Sequence, residues 1–264
     1  MSFMKYPRTP HLAGSRLQPG DSTSGQVSLA EITGGDLIFE EKIDGANCAV
    51  SFDAGRRLML QSRGHVLHGG ASEAQFALFK AWAHAQEPMF RDLLEGRFVL
   101  FGEWCFAKHT VFYDALPHFF HEFDIYDRNR EVFLSTAARQ RMLDGTPIVS
   151  VPVLHHGHLP KGTSPRRLIG RSLYKSHHWH DALEDAAAIA GLDVARVLAE
   201  TDASDLAEGL YVKHEDGDRV IGRYKYVRAD FCQAILDSGS HWRERPILPN
   251  RLAPGIDLFA GGTS

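Results

Sequence analysis

One lysine stands where an apolar strand is expected to end, in the stretch "FEEKIDGANCAVSF" at residues 39 to 52. Lys42 precedes the Asp44-Gly45 pair by two residues. The free amine of a lysine is a nucleophile, and attack on a nucleotide α-phosphate would give a lysyl phosphoramidate and release pyrophosphate. Such attack requires an ammonium that loses its proton readily, through burial or nearby positive charge. The sequence therefore predicts a lysine whose pKa is lowered, beside a cationic pocket.

A purely structural interpretation of the same stretch is a β-hairpin. Asp-Gly is among the strongest short-range hairpin signals, and residues on both sides of Asp44 favour strands. The pattern K-x-D-G specifies only three positions, so it recurs by chance in large proteomes. The choice between hairpin and nucleophile depends on whether the rest of the chain supplies partners for a nucleotide.

Partners of the required types follow along the chain. They are basic residues for phosphates, carboxylates for a ribose and a metal ion, and an aromatic residue for a base. They are Arg63 in "QSRGH", Glu103 in "LFGEW", Phe123 and Asp124 in "HEFDIYD", Glu208 and Lys213 in "EGLYVK", and Arg223 and Lys225 in "GRYKYV". Each alone has an ordinary interpretation, such as an edge-strand charge or a core phenylalanine. Their joint occurrence favours one nucleotide site.

This ordered array resembles motifs I, Ia, III, IIIa, IV and V of the covalent nucleotidyltransferases, the superfamily of DNA ligases, RNA ligases and mRNA capping enzymes. The array extends over residues 36 to 228. Within the superfamily, Asn47 in "KIDGAN" and the Phe-Asp pair in "EFDIYD" resemble the nick-sealing RNA ligase 2 type. The resemblance implies an ATP-dependent RNA ligase that uses Mg²⁺, with Mn²⁺ as a substitute. It implies RNA with 5'-phosphate and 3'-OH ends as substrate, a role in RNA repair, and an end-processing kinase or phosphatase as a partner.

The resemblance also implies roles for individual side chains. The catalytic group would be Lys42, Asp44, Arg223 and Lys225. The nucleotide-binding group would be Glu41, Asn47, Arg63, Glu103, Phe123 and Lys213, and the metal-binding group Glu208 and Asp124. By resemblance, Glu41 would recognise adenine, Phe123 would stack on the purine and Asn47 would act in the final step.

Two departures from the family pattern leave other functions open. Arg223 stands where the family commonly has lysine, and a planar guanidinium binds phosphate differently from a point charge. The chain given ends about forty residues after the last motif, so no C-terminal OB domain is expected. The alternatives are a DNA ligase, a capping-type nucleotidyltransferase, or a non-catalytic subunit that binds nucleotides or RNA ends.

Alternating apolar patterns predict the strands that would position these side chains. They are "DLIFEEKI", "NCAVSFD", "RLMLQSR", "RFVLFGEW", "HEFDIYD", "PIVSVPVL", "GLYVKHE" and "RVIGRYKYV". Helical spacing predicts a helix over residues 72 to 95, and others in "TAARQRML", "DALEDAAAIAGL", "VARVLAET" and "ADFCQAILDS". This order, without a repeating βαβ unit, predicts an α+β fold. By resemblance it is a ligase adenylation domain, similar to ATP-grasp folds, of antiparallel sheets flanked by helices.

Composition narrows the class of protein further. The 264 residues are 44% hydrophobic and 23% charged, as in ordinary globular proteins, and the net charge of −4 argues against indiscriminate binding to nucleic acid. Three cysteines without a CxxC pair and the lack of a long apolar run predict a cytoplasmic protein without a membrane span. We expect an irregular lead-in at 1–35, a core at 36–228 with a helical insertion near 160–205, and a helix and tail at 229–264, together a single domain. The role of the His-rich segment 177–180 stays open.

Overall fold

The expected strands form, except that the segment "PIVSVPVL" divides around Pro152 into two short strands that pair with different parts of the sheet, and all join one large, mainly antiparallel sheet. The computed structural model describes residues 3–17, 25–232 and 245–260. Within these residues the strands are β1 (Asp36–Lys42), β2 (Ala46–Phe52), β3 (Leu58–Ser62), β4 (Phe98–Trp104), β5 (Phe120–Asp127), β6 (Val132–Leu134), β7 (Val149–Ser150), β8 (Val153–His156), β9 (Gly209–Asp216) and β10 (Arg219–Val227). Their order is β3-β2-β4-β5-β6-β10-β9-β1-β8, and β7 lies parallel to β5 at one side. The predicted α+β class is confirmed.

The strands on either side of the Asp-Gly pair do not form a hairpin. β1 lies between β9 and β8, with Lys42 opposite Gly209, whereas β2 lies between β3 and β4. Both edges of each strand are therefore already hydrogen-bonded to other strands. The hairpin interpretation of Asp44-Gly45 is wrong, because this pair connects two distant parts of the sheet.

Helices cover the apolar face of the sheet around β2, β4 and β5. The helix expected over residues 72–95 forms as a 3-10 turn (Ala71–Phe76) followed by α1 (Ala77–Ala85) and α2 (Glu87–Leu94). The two helices are separated at Gln86, and Pro88 lies in the first turn of α2, where its missing N–H costs no intrahelical hydrogen bond. Trp82 of α1 and Phe90 of α2 are buried in one core cluster with Trp104 and Phe120.

The later helices also match the sequence patterns. α3 spans Thr136–Leu143 and begins after Ser135, whose side chain accepts a hydrogen bond from a backbone N–H of the first turn. α4 (Trp179–Ile189) and α5 (Val194–Ala199) lie in the expected insertion. Trp179 and Leu183 pack with Phe112, so this pair of helices has its own small core. None of the helices in the described ranges is long and apolar enough to cross a membrane.

Two irregular segments pack onto the sheet. Residues 3–17, called here the N-terminal strap, lie along β10, where Leu12 N–H donates to the Lys225 carbonyl at 2.9 Å and Lys225 N–H to the Pro10 carbonyl at 2.9 Å. Residues 245–260 lie against the loop after β4, where Asn250 Nδ2 donates to the Cys105 carbonyl at 2.8 Å. Most of the helix expected in "ADFCQAILDS" falls outside the residues described.

Candidate active site

Lys42 is the last residue of β1, and its side chain is partly exposed. Its Nζ donates to Glu208 Oε2 at 2.7 Å, and its side chain is 27% exposed. Glu208 immediately precedes β9, whose first residue, Gly209, lies opposite Lys42. Sheet pairing thus fixes the distance between the amine and this carboxylate. Part of the Lys42 side chain is open to solvent.

The pKa of Lys42 is raised in the ligand-free protein. Burial alone lowers it, but the negative charges of Glu208, Glu103 and Asp44 act in the other direction and outweigh burial. The expectation of a lowered lysine pKa is therefore wrong for this state. The immediate neighbours of the amine are carboxylates, not the cations that the sequence suggested.

Glu103 is half-buried and Glu208 is buried, and the two carboxyl groups lie close to each other. Burial raises the pKa of Glu103 to about 8, and the charges of Glu208 and Asp44 add to this effect, while Lys42 opposes it. Burial likewise raises the pKa of Glu208 to about 7, with Lys42 again opposing. Near neutral pH these two groups together hold less than their full negative charge.

Two cations act on this pair of carboxyls besides Lys42. Arg63, exposed just after β3, lowers the pKa of Glu103, and Lys225 of β10 lowers that of Glu208. Asn47 of β2 lies directly opposite Glu103 of β4. Its Oδ1 is buried and finds no hydrogen-bond partner among the described residues. The predicted site residues from five separate segments therefore come together around Lys42.

Asp44 holds the loop that follows β4. Its Oδ2 accepts the backbone N–H groups of Thr110 and Val111, each at 2.7 Å, and its own N–H donates to the Tyr113 hydroxyl at 2.8 Å. Tyr113 is fully buried. Asp44 thus joins the segment between β1 and β2 to the loop after β4. No spacing in the sequence indicated Thr110 and Val111 as partners.

Glu41 faces away from Lys42, because successive side chains of a strand point to opposite faces. The Ser172 hydroxyl donates to Glu41 Oε1 at 2.5 Å, and Leu173 N–H donates to Oε2 at 3.4 Å. Burial raises the pKa of Glu41, and these two hydrogen bonds partly offset the increase. Ser172 is a site neighbour that the sequence analysis did not identify.

Asp124 belongs to a second cluster of charges, fully buried beneath the same face. Lys213 Nζ lies 3.3 Å from its Oδ1, and the hydroxyls of Tyr211 and Tyr6 donate to its Oδ2, the former at 3.1 Å. Burial raises the pKa of Asp124, but the positive charges of Lys213 and Arg223 lower it by a larger amount. The net pKa is below the ordinary value, so the carboxylate stays ionised. Lys213 also contacts Glu40 Oε2 at 2.9 Å. Both tyrosine hydroxyls thus bond Oδ2, whereas Oδ1 has the ion pair with Lys213 and no hydrogen bond among the described residues.

Arg223 and Phe123 adjoin this second cluster. The Arg223 guanidinium lies 3.8 Å from the Phe133 ring centroid and 5.0 Å from that of Tyr6, and its Nη1 lies 3.7 Å from Asp124. Phe123 is partly buried, and its ring contacts Tyr6 edge-on at 5.3 Å and Tyr211 at 6.0 Å. The structure thus places Arg223 at Asp124 and on aromatic rings.

The two clusters share one face of the sheet. Opposite residues of β1, β9 and β10 point the same way, so Lys42, Lys213, Arg223 and Lys225 lie on one face. Gly209 and Lys213 are four residues apart on β9, which corresponds to about 13 Å along the strand. Tyr226 faces the opposite side and is buried in another core cluster, as strand alternation predicted.

Within the described part of the chain, no group of three or more His, Cys, Asp or Glu side chains is arranged to hold a metal ion. The pair formed by Glu103 and Glu208 nevertheless fits Mg²⁺, which proteins usually bind through one or two carboxylates together with substrate phosphates. The pKa values of both glutamates are raised, which indicates that the nearby cations do not fully offset burial and the neighbouring carboxylates. Asp124 does not fit, because cations and hydroxyls already occupy it.

Comparison with known proteins extends these observations. A family model described as RNA ligase matches residues 35–227. Among solved structures, a mutant RNA ligase from Naegleria gruberi with ATP and Mn matches with a TM-score of 0.54 and 18% identity, over 90% of this chain and 60% of that chain. A mutant of the same enzyme with AMP and Mn gives a TM-score of 0.52 and 18% identity, over 88% and 60%. The same enzyme with PPi gives 0.51 and 19%, over 89% and 65%.

These matches differ in what they support. The solved structures share the fold at low identity, and this chain spans about 60% of the length of the first of those ligases. No curated protein sequence matches the chain. The family match covers most of the chain and includes every predicted site residue, from Glu41 to Lys225.

Proposed function

The chain belongs to the RNA ligase family, and from this premise we propose that it joins 5'-phosphate and 3'-OH RNA ends with ATP, through a lysyl-AMP intermediate on Lys42. The observation that carries the proposal is the arrangement around Lys42. The amine of the partly exposed Lys42 side chain lies 2.7 Å from Glu208. Glu103, Asp44 and Lys225 act on this pair electrostatically, and Arg63 acts on Glu103. Solved structures of the same fold with ATP, AMP and PPi support nucleotide chemistry on this scaffold.

In the first step the Lys42 amine attacks the α-phosphorus of ATP. A phosphorus–nitrogen bond forms, the bond between the α-phosphorus and the bridging oxygen breaks, and pyrophosphate leaves. The ammonium must first lose a proton, and Glu208 Oε2 is an acceptor at 2.7 Å. In the ligand-free protein the pKa of Lys42 is raised and that of Glu208 is about 7, so the proton stays on the amine. Once the negative charge of Glu103 and Glu208 is offset, the pKa of Lys42 falls and the amine can release its proton.

A divalent cation, Mg²⁺ or Mn²⁺, would be held by Glu103 and Glu208 together with phosphate oxygens of the nucleotide. When bound, it would neutralise phosphate charge and offset the carboxylates that otherwise keep Lys42 protonated. The residues themselves supply the anionic pair and the open access that such binding requires. Asp124 is assigned a different part, as the anchor of Lys213 and Arg223.

The remaining side chains are proposed to hold the nucleotide. Phe123 would stack on the purine. Glu41 faces the other side of the sheet and is buried against Ser172 and Leu173, so it is proposed to support the end of β1 that carries Lys42. Arg63 and Lys225 would contact phosphates, because both already oppose the carboxylate charge near Lys42. Arg223 packs on Phe133 and pairs with Asp124, so we propose that it supports the pocket and does not touch the α-phosphate directly.

Two transfers to RNA follow. The 5'-phosphate oxygen of RNA attacks the phosphorus of lysyl-AMP, the phosphorus–nitrogen bond breaks, and a pyrophosphate-linked AMP-RNA end forms. The 3'-OH then attacks the RNA phosphorus, a phosphodiester forms, and AMP leaves. Asn47 has a buried Oδ1 without a partner in the described residues, beside Glu103. It is proposed to orient the RNA end in this final step, in an RNA-repair setting where a kinase or phosphatase prepares the ends.

An adenylylation assay tests the proposal. Wild-type protein incubated with labelled ATP and Mg²⁺ should retain one covalent AMP, while Lys42→Ala and Lys42→Arg should retain none. A matched control is Lys161→Ala, an exposed lysine outside the site that should be labelled like the wild type. Labelling of Lys42→Ala at the wild-type level would refute the mechanism. Sealing of nicked RNA, nicked DNA and single-stranded RNA, measured side by side, identifies the substrate.

A further inference from the structure

Tyr6 lies on the N-terminal strap, outside the region that the family model matches, yet it contacts three predicted site residues. Its ring packs edge-on against Phe123 at 5.3 Å, its hydroxyl donates to Asp124, and the Arg223 guanidinium lies 5.0 Å from its ring centroid. Tyr6 is only 5% exposed. A residue more than a hundred positions before its partners thus occupies the centre of the second cluster.

The strap is fastened to the strand that carries Lys225. The backbone of Lys225 pairs on this side with Pro10 and Leu12, and Arg16 N–H donates to the Val227 carbonyl at 2.9 Å. At its other end the strap reaches β3, where Gln61 Nε2 donates to the Met4 carbonyl at 2.6 Å. The strap therefore spans from β3 to β10 across the face that carries the site, and these bonds fix the position of Tyr6.

The aromatic contacts show what Tyr6 does to Phe123. Tyr6 also packs edge-on against Phe101 at 5.0 Å and Phe133 at 5.9 Å, so its ring is fixed among three others. The planes of Tyr6 and Phe123 are inclined by 82°, and those of Tyr211 and Phe123 by 54°. Neither contact is a parallel stack. Tyr6 thus restricts the orientation of the Phe123 ring without stacking on it.

The hydroxyl of Tyr6 adds a second constraint. Burial and the charge of Asp124 raise the pKa of Tyr6 well above its ordinary value, so Tyr6 stays neutral and is the hydrogen-bond donor. Asp124 follows Phe123 directly on β5. Fixing the carboxylate of one residue therefore fixes the backbone from which the neighbouring ring projects.

We propose that Tyr6 is a positioning residue for the purine pocket: it fixes Phe123 and Asp124 so that the Phe123 ring is ready to stack on the base of ATP. This inference rests on the proposed nucleotide-binding function and makes the N-terminal strap part of the nucleotide-binding unit. Tyr6 itself does not touch the reacting atoms. Its removal should weaken ATP binding much more than it slows phosphoryl transfer.

The test compares adenylylation kinetics of Tyr6→Ala, Tyr6→Phe and Tyr126→Ala. Tyr126 is the matched control. It belongs to the same aromatic cluster as Tyr6, packs on Phe133 at 5.0 Å and lies on β5, the strand that carries Phe123. For Tyr6→Ala we expect the KM for ATP to rise roughly three- to tenfold, equal to about 0.6–1.4 kcal/mol, with kcat changed less than about twofold. Tyr6→Phe keeps the ring, so it should recover most of the loss. Tyr126→Ala should leave the KM unchanged.

A second measurement separates positioning from a general loss of stability. The ratio of the KM for UTP to the KM for ATP should decrease in Tyr6→Ala. A Phe123 ring that is not fixed in position stabilises a bound purine less by stacking. A protein that is only less stable would melt earlier while keeping its KM and its base preference, and that result would overturn the inference. If Tyr6→Ala does not fold, Tyr6→Leu replaces it, with the same expected result and the same overturning result. Wild-type protein that forms no adduct would instead refute the proposed function itself.

Discussion

Replacing Glu103 with glutamine should stabilise the ligand-free protein at pH 8 but not at pH 5. The native pKa of Glu103 is about 8, against an ordinary value of 4.5, because the side chain is buried next to Glu208 and Asp44. Between these two pH values the native protein binds a proton that the unfolded chain has released. Stability therefore falls as pH rises from 4.5 towards 8, and the whole penalty is present above pH 8. Glutamine resembles the protonated carboxyl and carries no such penalty.

The size of the effect follows from the shift. One pKa unit corresponds to roughly 1.4 kcal/mol, so the full shift sets an upper limit of about 5 kcal/mol. Glu103 is partly exposed and titrates together with Glu208, so solvent screening reduces the expected gain to about 1–3 kcal/mol. For a protein of this size each kcal/mol raises Tm by about 2–4 °C.

Thermal denaturation of the wild type and Glu103→Gln between pH 5 and 8.5, at constant ionic strength, measures the effect. Glu73→Gln is the matched control, and its effect on stability at pH 8 should have the opposite sign. Backbone N–H groups and Lys80 lower the pKa of Glu73 despite its burial, so its carboxylate contributes stability above the ordinary pKa and Glu73→Gln should be less stable at pH 8. Parallel Tm curves for the wild type and Glu103→Gln across the range would refute the reasoning.

Three further perturbations test other contacts of the site. Asp44→Ala leaves two backbone N–H groups without their acceptor, so chemical denaturation should show a loss of about 1–3 kcal/mol and adduct formation should slow; unchanged stability would contradict the loop-anchoring role. Gly209→Ala would place a Cβ 2.0 Å from a carbonyl oxygen of β10 and should cost about 3 kcal/mol or more, whereas Gly64→Ala, with open space around it, should change stability by less than about 0.5 kcal/mol; equal effects would be inconsistent with this packing. Ser172→Ala removes a donor to Glu41, so the pKa of Glu41 should rise further and the KM for ATP should increase; an unaltered KM would argue against a supporting role of Glu41 at the site.

Local patterns in the sequence predicted the elements of this fold well. Alternating apolar residues identified the principal strands, and alternation also predicted that Tyr226 packs in the core while Lys225 faces the site. These features depend on neighbours one or two positions away, which a sequence displays directly. The RNA ligase family was predicted for the same reason, because its motifs are short and stand in order.

Features that depend on distant contacts could not be predicted. Asp44-Gly45 looks like a hairpin turn, but pairing is decided by β9 and β4, which lie elsewhere in the chain. The pKa of Lys42 depends on Glu103 and Glu208, whose proximity only the folded sheet creates. No pattern in the sequence indicated Tyr6 as a site neighbour, because its position depends on the hydrogen bonds between the N-terminal strap and β10.

Mapping the modified lysine is the most direct test of the account. Burial lowers the pKa of both Lys108 and Lys175 to about 8, so by acidity alone either is a better nucleophile than Lys42 at neutral pH. Their ammonium groups, however, donate to backbone carbonyls of His109, Glu200 and Ser204 and serve to join loops.

Mass spectrometry of peptides after incubation with ATP and Mg²⁺ should therefore find AMP on Lys42 and on no other lysine. AMP on Lys108 or Lys175, or no adduct on a folded protein, would contradict the central claim that geometry around Lys42 selects the nucleophile.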